Sequence, residues 1–127
     1  MIFRNPSTIH SPLASYSHQA EVSEKARWLV ISAQIGMEQN GVIPDDTLRQ
    51  TEIALDNILL NLEAAKMDYK NLVKLVFYFA ESHDVEQRRN LISEKLGEHQ
   101  PCMTVLYVAG LATPALKVEV EAWACSE

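Results

Sequence analysis

The sequence predicts an α+β protein, with two helices packed on one face of a mixed β-sheet. Three observations carry this. Two stretches place apolar residues at three- and four-residue steps, and they alternate with short runs rich in β-branched and aromatic residues. Each helical stretch opens on an aspartate able to cap it. Strand-like runs come in pairs at both ends of the chain. The order reads β-β-α-β-α-β-β, with room for one more short strand at the N-terminus.

Trp28 to Ile35 reads as a strand. The polar turn Ser23-Glu24-Lys25-Ala26 precedes it and suggests a hairpin with an earlier strand near Gln19 to Val22. Gly36 to Pro44 is loop, after which Asp45 and Asp46 supply N-cap chemistry. The helix is expected from about Thr47 to Met67, because Leu48, Thr51, Leu55, Ile58, Leu59 and Leu62 fall on one face. Asp68 and Tyr69 break it. Leu72 to Ala80 is nearly all apolar, as in a strand buried within a sheet. Asp84 caps a second helix, Val85 to about Leu96, which stops at Gly97. Strands at about Thr104–Ala109 and Leu116–Ala124 end the chain as adjacent partners joined by Gly110 to Ala115.

In the Trp28–Ile35 strand, strict alternation puts Leu29, Ile31, Ala33 and Ile35 on one side. Trp28, Val30, Ser32 and Gln34 take the other. Both sides carry apolar groups, so both faces should be buried. Two helices can cover one face only, and the second is expected to be covered by self-association.

A chain of 127 residues fits one domain, residues 1–127, large enough to fold without disulfides or metals. Its 47% hydrophobic and 22% charged content is ordinary for a globular protein. No apolar run approaches the roughly 20 residues of a membrane helix. The N-terminus lacks the pattern of a signal peptide, so the expected compartment is the cytoplasm. Cys102 and Cys125 make no disulfide framework. The net charge is −6 and Lys and Arg are scattered, Arg88-Arg89 being their one adjacent pair. Nucleic acid is a poor partner on these grounds, since phosphate neutralisation supplies most of such affinity.

Several segments, in order, resemble one family. They are Ser15-Tyr16-Ser17, Val30-Ile31-Ser32-Ala33-Gln34-Ile35, Gln50-Thr51 followed by Ala54-Leu55-Asp56-Asn57-Ile58, Gly97-Glu98-His99-Gln100-Pro101, and Lys117-Val118-Glu119-Val120-Glu121-Ala122. The chain resembles the RidA/YjgF/UK114 family of reactive intermediate deaminases over nearly its whole length. The resemblance implies a chorismate-mutase-like (ferredoxin-like) homotrimer with clefts at the subunit interfaces. It also implies hydrolysis of enamines or imines to ammonia and a 2-keto acid, with no metal and no organic cofactor. In the family an arginine on the penultimate strand clamps the substrate carboxylate. A glutamate on the last strand positions water, and a tyrosine and a serine line the cleft. Tyr16, Ser32 and Glu121 match these last three. Met103 stands where the arginine belongs, Ala33 where the family has glycine, and Arg89 at an asparagine that faces the cleft. The turn between Tyr16 and Ser32 is a few residues longer than usual.

A thioether donates no hydrogen bond, whereas each charge-assisted bond of an arginine fork is worth about 1.5–3 kcal/mol. Met103 is therefore expected to fill an apolar cleft and to weaken recognition of amino-acid-derived imines. Arg89 shares a helical stripe with Val85, Ile92 and Leu96. The expectation is that the cation has moved from strand to helix, where Arg89 meets an anionic ligand. Its alternative is a snorkelling side chain or a pair with Glu86. Glu121 is expected to act as general base on a water, against the plainer reading of a salt-bridged strand face. Tyr16 and Ser32 supply hydroxyl donors. Ser32 lacks an assignable histidine and acid for a nucleophilic role. His10, His18, His83 and His99 show no metal-ligand spacing, and no Gly-rich loop cradles a phosphate. Cys102 would be reactive only with a lowered pKa. Three functions follow: a deaminase acting on a small C–N compound, a non-catalytic binder of a small metabolite, and, weakest, an endoribonuclease or translation inhibitor.

Overall fold

A computed structural model describes all 127 residues. The elements are β1 (Ile2–Arg4), β2 (Gln19–Glu21), β3 (Arg27–Ile35), α1 (Thr47–Ala64), a 3-10 turn (Tyr69–Asn71), β4 (Leu72–Phe79), α2 (Val85–Leu96), β5 (Cys102–Tyr107) and β6 (Val118–Ser126). Local chemistry sets the helix ends. Asp46 accepts from the Arg49 N–H at 2.8 Å, and Asp84 accepts from the Gln87 N–H at 2.9 Å. Gly97, at φ 57°, ends α2 as expected. The first helix stops at Ala64, short of Met67, because Lys66 turns left-handed and the Met67 N–H folds back onto the Leu62 carbonyl.

The main sheet has the order β3-β6-β4-β5. β4 and β5 are parallel, linked through α2. β3 and β4 both run antiparallel to β6, so they are parallel to each other with β6 inserted between them. This is a split βαβ arrangement. It corrects the expectation of hairpins at the two ends. β2 pairs with β1 in a separate ribbon, not with β3. β5 and β6 are not neighbours. Burial explains the choice. Val118, Val120, Ala122 and Ala124 of β6 are fully buried, whereas Leu106 and Tyr107 of β5 are exposed. The more apolar strand takes the inner place, where both edges find hydrogen-bond partners.

A second correction concerns β3. Ile31 pairs with Ala122, yet Gln34 pairs with Val120, so Ser32 and Ala33 together stand opposite Glu121 in a β-bulge. The extra residue reverses the alternation. Ile35 stands opposite Glu119, away from the side that Ile31 shares with Ala122.

Leu55, Ile58 and Leu62 of α1 pack with Leu75, Phe77, Phe79, Val118 and Val120 to form the core on the helix side. The opposite sheet face has no cover within the chain: Trp28 is 50%, Val30 67% and Leu106 45% exposed.

Gln50 ties the layers together. Its fully buried amide donates to the Pro44 and Ala115 carbonyls at 2.7 and 2.9 Å and accepts from the Lys117 N–H at 2.9 Å. Gly36 presses against it, and a Cβ there would lie 2.4 Å from the Gln50 Cβ and 2.5 Å from its Cα. Gly36→Ala therefore forces α1 away from the end of β3. The expected cost is about 1–3 kcal/mol, read from the urea midpoint, as for other overpacked sites. A midpoint equal to wild type would show that this contact yields freely.

Candidate functional site

The segment before β2 is laid along the start of β5. The Ser17 N–H donates to the Pro101 carbonyl at 3.2 Å and its hydroxyl to the Gln100 carbonyl at 2.6 Å. Tyr16 is thereby held beside β5, its phenol oxygen accepting from the Leu13 N–H at 3.3 Å. Met103 and Val105 stand opposite Leu75 and Phe77, so they point to the helix side of the sheet. α2 lies over them. Together these elements enclose a pocket of about 260 Å³ whose walls include Tyr16, Arg88, Arg89, Ile92, Met103 and Val105.

The buried arginine of this pocket is Arg88, not Arg89. The buried stripe of α2 is Arg88, Leu91, Ile92 and Leu96, while Val85 and Arg89 are exposed. Arg89 therefore reaches the pocket from its rim. Arg88 is 8% exposed, and its Nε has no hydrogen-bond partner. Its guanidinium lies over the Phe79 ring at 5.6 Å, and Nη1 donates to His83 Nε2 at 3.0 Å. Nε2 is thus the acceptor nitrogen of a neutral imidazole. Burial, followed by the charge of Arg88, outweighs the attraction of the Glu81 carbonyl and holds His83 below its ordinary pKa. Spacing to Val85, Ile92 and Leu96 put Arg89 on the buried stripe, and the structure corrects this to Arg88. Leu91, three residues after Arg88, was the signal that could have chosen between them.

Glu121 lies elsewhere. On β6 it alternates with the buried Val120 and Ala122, so it projects from the bare sheet face. Tyr78, whose neighbour across the sheet is Glu119, donates its hydroxyl to the Glu121 carboxylate. That bond, with burial second, pushes the Tyr78 phenol above its ordinary pKa. No sequence pattern marked Tyr78, which sits within a continuous apolar run. Ser32 and Ala33 are set opposite Glu121 by the bulge.

The expected site residues therefore fall into two groups. Tyr16, Arg89 and Met103 meet in the pocket beneath α2. Ser32, Ala33 and Glu121 meet where β3 and β6 pair, and Glu121 faces away from that pocket. Cys102 and Cys125 are free, and burial raises both thiols above their usual range, which makes them poorer nucleophiles.

The profile of the endoribonuclease L-PSP family matches residues 8–126. The chain belongs to this family, which is the RidA/YjgF family. A RutC family protein of Pyrococcus horikoshii is 27% identical over 118 residues, covering 91% of this chain and 90% of that protein. The structure of YyfB from Yersinia pestis, a conserved Rid family protein, is 26% identical with a TM-score of 0.86, over 98% of each chain. Escherichia coli TdcF with bound serine is 23% identical with a TM-score of 0.73, over 90% of this chain and 94% of that one. These neighbours share the α+β fold of this RidA-like chain.

The burial of His83, with the charge of Arg88 beside it, gives the protein an acid-sensitive element. The folded state holds His83 below the roughly 6.5 of a free histidine, so the unfolded chain binds the proton more readily. Its contribution to stability is complete above about pH 6.5 and is lost as pH falls from there through the folded value. Melting temperatures of wild type and His83→Gln should converge from pH 7 to pH 5, with wild type losing more. Parallel losses would remove His83 as the cause.

Proposed function

We propose that residues 1–127 form one RidA-like domain that assembles as a homotrimer and hydrolyses a small enamine or imine in clefts shared between copies. The observation that carries this reading is the Glu121 carboxylate, tied to Tyr78 on a sheet face that nothing in its own chain covers. An apolar face with Trp28 and Val30 exposed favours a second copy over water. The two residue groups also sit toward opposite edges of the sheet, which are β3 and β5. Joining the β5 side of one copy to the β3 side of the next would bring them together. Such a head-to-tail contact closes into a ring when its rotation permits, and the family resemblance gives that ring three members.

In such a cleft Glu121 accepts a proton from a water as the water attacks the carbon of a C=N bond. The Tyr78 hydroxyl fixes the carboxylate in one orientation. The proton taken from water passes to nitrogen to give a carbinolamine; its hydroxyl then gives up its own proton, relayed through Glu121 to nitrogen, as the C–N bond breaks and ammonia leaves a carbonyl product behind. Tyr16 and Ser32 offer hydroxyl donors to substrate oxygens, and Arg89 at the pocket rim offers charge to an anionic substrate. The serine bound to TdcF supports an amino-acid-sized ligand. No helix is long and apolar enough to cross a membrane, and the cytoplasm is the proposed compartment.

Met103 in place of arginine favours one other reading, a binder of a small metabolite in the same cleft without turnover. The ribonuclease activity in the family's name finds less support, because a net charge of −6 with scattered Lys and Arg offers no basic stripe.

The test is ammonia release from 2-aminoacrylate or iminopyruvate, faster with wild type than in buffer. Glu121→Gln should lower the rate about 10²–10⁴-fold, the usual range for a lost general base. Tyr78→Phe should lower it about tenfold, for one hydrogen bond to a charged group. Absence of any acceleration, with ligand still bound, would leave the binder. Sedimentation equilibrium should return the mass of three chains, and the mass of one would abolish the shared cleft.

A further inference from the structure

His83 stands where the loop after β4 meets the start of α2, and its two ring nitrogens have different tasks. Nδ1 faces the Glu81 carbonyl at 3.5 Å, and Nε2 accepts from Arg88 Nη1 at 3.0 Å. A neutral ring with its proton on Nδ1 satisfies both contacts. An imidazolium carries a proton on each nitrogen and accepts nothing. The same ring lies 4.1 Å from the ring of Phe79 and 5.8 Å from that of Tyr107 on β5. The Arg88 guanidinium lies over Phe79 at 5.6 Å. Phe79 therefore serves two neighbours, of which only Arg88 is charged near neutral pH. The other ionisable groups facing His83 are acids with tasks of their own or open to water. Glu81 accepts from Thr47 and pairs with Lys117, and Asp84 caps α2 at Gln87. Asp45 and Asp46, before α1, share a shallow hollow with His83. None of these acids forms an ion pair with Arg88.

A proton added to His83 sets two cations against each other at 3.0 Å with no acceptor between them. The contact is part-buried, so water screens the repulsion poorly. One partner has to give way. His83 is packed against Phe79 and Tyr107, whereas Arg88 has open space beside it. Its side chain is part of the wall of the pocket of about 260 Å³ beneath α2, together with Met103, Val105 and Ile92. We propose that His83 and Arg88 form a proton-operated gate on this pocket. Neutral His83 holds Arg88 back against Phe79 and keeps the pocket open. Protonated His83 drives the Arg88 side chain into the space beside it and fills the pocket. Phe79 then passes from guanidinium to imidazolium, whose ring is already the nearer of the two. The swing needs new rotamers of one long side chain and no movement of α2. A histidine is suited to such a task because its charge changes close to physiological pH. Burial and the charge of Arg88 hold the His83 proton off until the pH is below about 6.5, so the pocket is open at neutral pH and closes in acid.

As control of turnover the gate rests on the deaminase reading, but the movement of Arg88 does not, and it is followed without substrate. The full-length protein is labelled with ¹³C at the methionine methyls and ¹⁵N at arginine, and spectra are taken from pH 7 to pH 5 while it remains folded. The Met103 methyl and Arg88 Nε–H resonances should shift with the same midpoint as the His83 ring proton. A nuclear Overhauser contact from the Arg88 side chain to the Met103 methyl should grow in acid. These readouts need no variant. In His83→Gln, whose amide oxygen accepts from Arg88 at every pH, both resonances should stay flat. In Arg88→Met the His83 midpoint should rise, because the neighbouring charge is gone. Met103 and Arg88 resonances that stay still while His83 titrates would overturn the gate. So would equal movement in a folded His83→Gln, or an unchanged His83 midpoint in a folded Arg88→Met. A gate that moves as described, with no ammonia release at any pH, would sink the deaminase reading alone. Ammonia release from 2-aminoacrylate that falls equally in acid with wild type and His83→Gln, Arg88 being static, would sink the gate alone.

Discussion

The insertion of β6 between β3 and β4 is the constraint on which the other arrangements rest. β6 pairs along both of its edges, from Val118 to Ala124 against β4 and from Glu119 to Ser126 against β3. Because it is central, the sheet ends on β3 and β5. Because its buried residues are Val118, Val120, Ala122 and Ala124, Glu121 must lie on the other face beside Tyr78. The buried Gln50 amide holds the entry to this strand by accepting from Lys117 N–H and donating to the Ala115 carbonyl. A buried amide with all three bonds made leaves the strand no other register without orphaning those groups.

Two unlike electrostatic environments follow from this sheet. On the bare face a carboxylate is held by one phenol, where a water can reach it. On the helix face a guanidinium is enclosed among an aromatic ring, a neutral imidazole and apolar side chains. The first environment suits proton transfer at an accessible group. The second suits recognition, because charge in a low-dielectric pocket acts strongly on whatever enters. The strand substitution and the helix arginine belong to one account. Met103 leaves β5 without a cation at this position, and Arg88 places one on α2, against the same pocket.

Much of the architecture was legible along the chain. The caps Asp46 and Asp84 and the stop at Gly97 depend on local backbone chemistry, and both helices begin where those aspartates require. The apolar run of β4 announced a strand buried on both sides. The alternation in β6 put Glu121 opposite the core, and the expected self-association rested on a sheet face that is indeed bare in the single chain. Other features were hidden. The bulge at Ser32 and Ala33 breaks a period that the sequence displays as unbroken. The enclosed arginine is Arg88 and not the expected Arg89, a difference of one residue in the rotation of α2.

By itself the sequence determined the elements, their caps, the faces of α1 and β6, and the family to which the chain belongs. These depend on contacts within a few residues, or on a pattern repeated along one segment. The tertiary structure alone decided which strands are neighbours, where β3 shifts register, which arginine is enclosed, and that Glu121 and Met103 face opposite ways. Each of these compares groups far apart in the chain competing for the same burial and the same hydrogen bonds, and that competition is resolved only when the whole sheet forms.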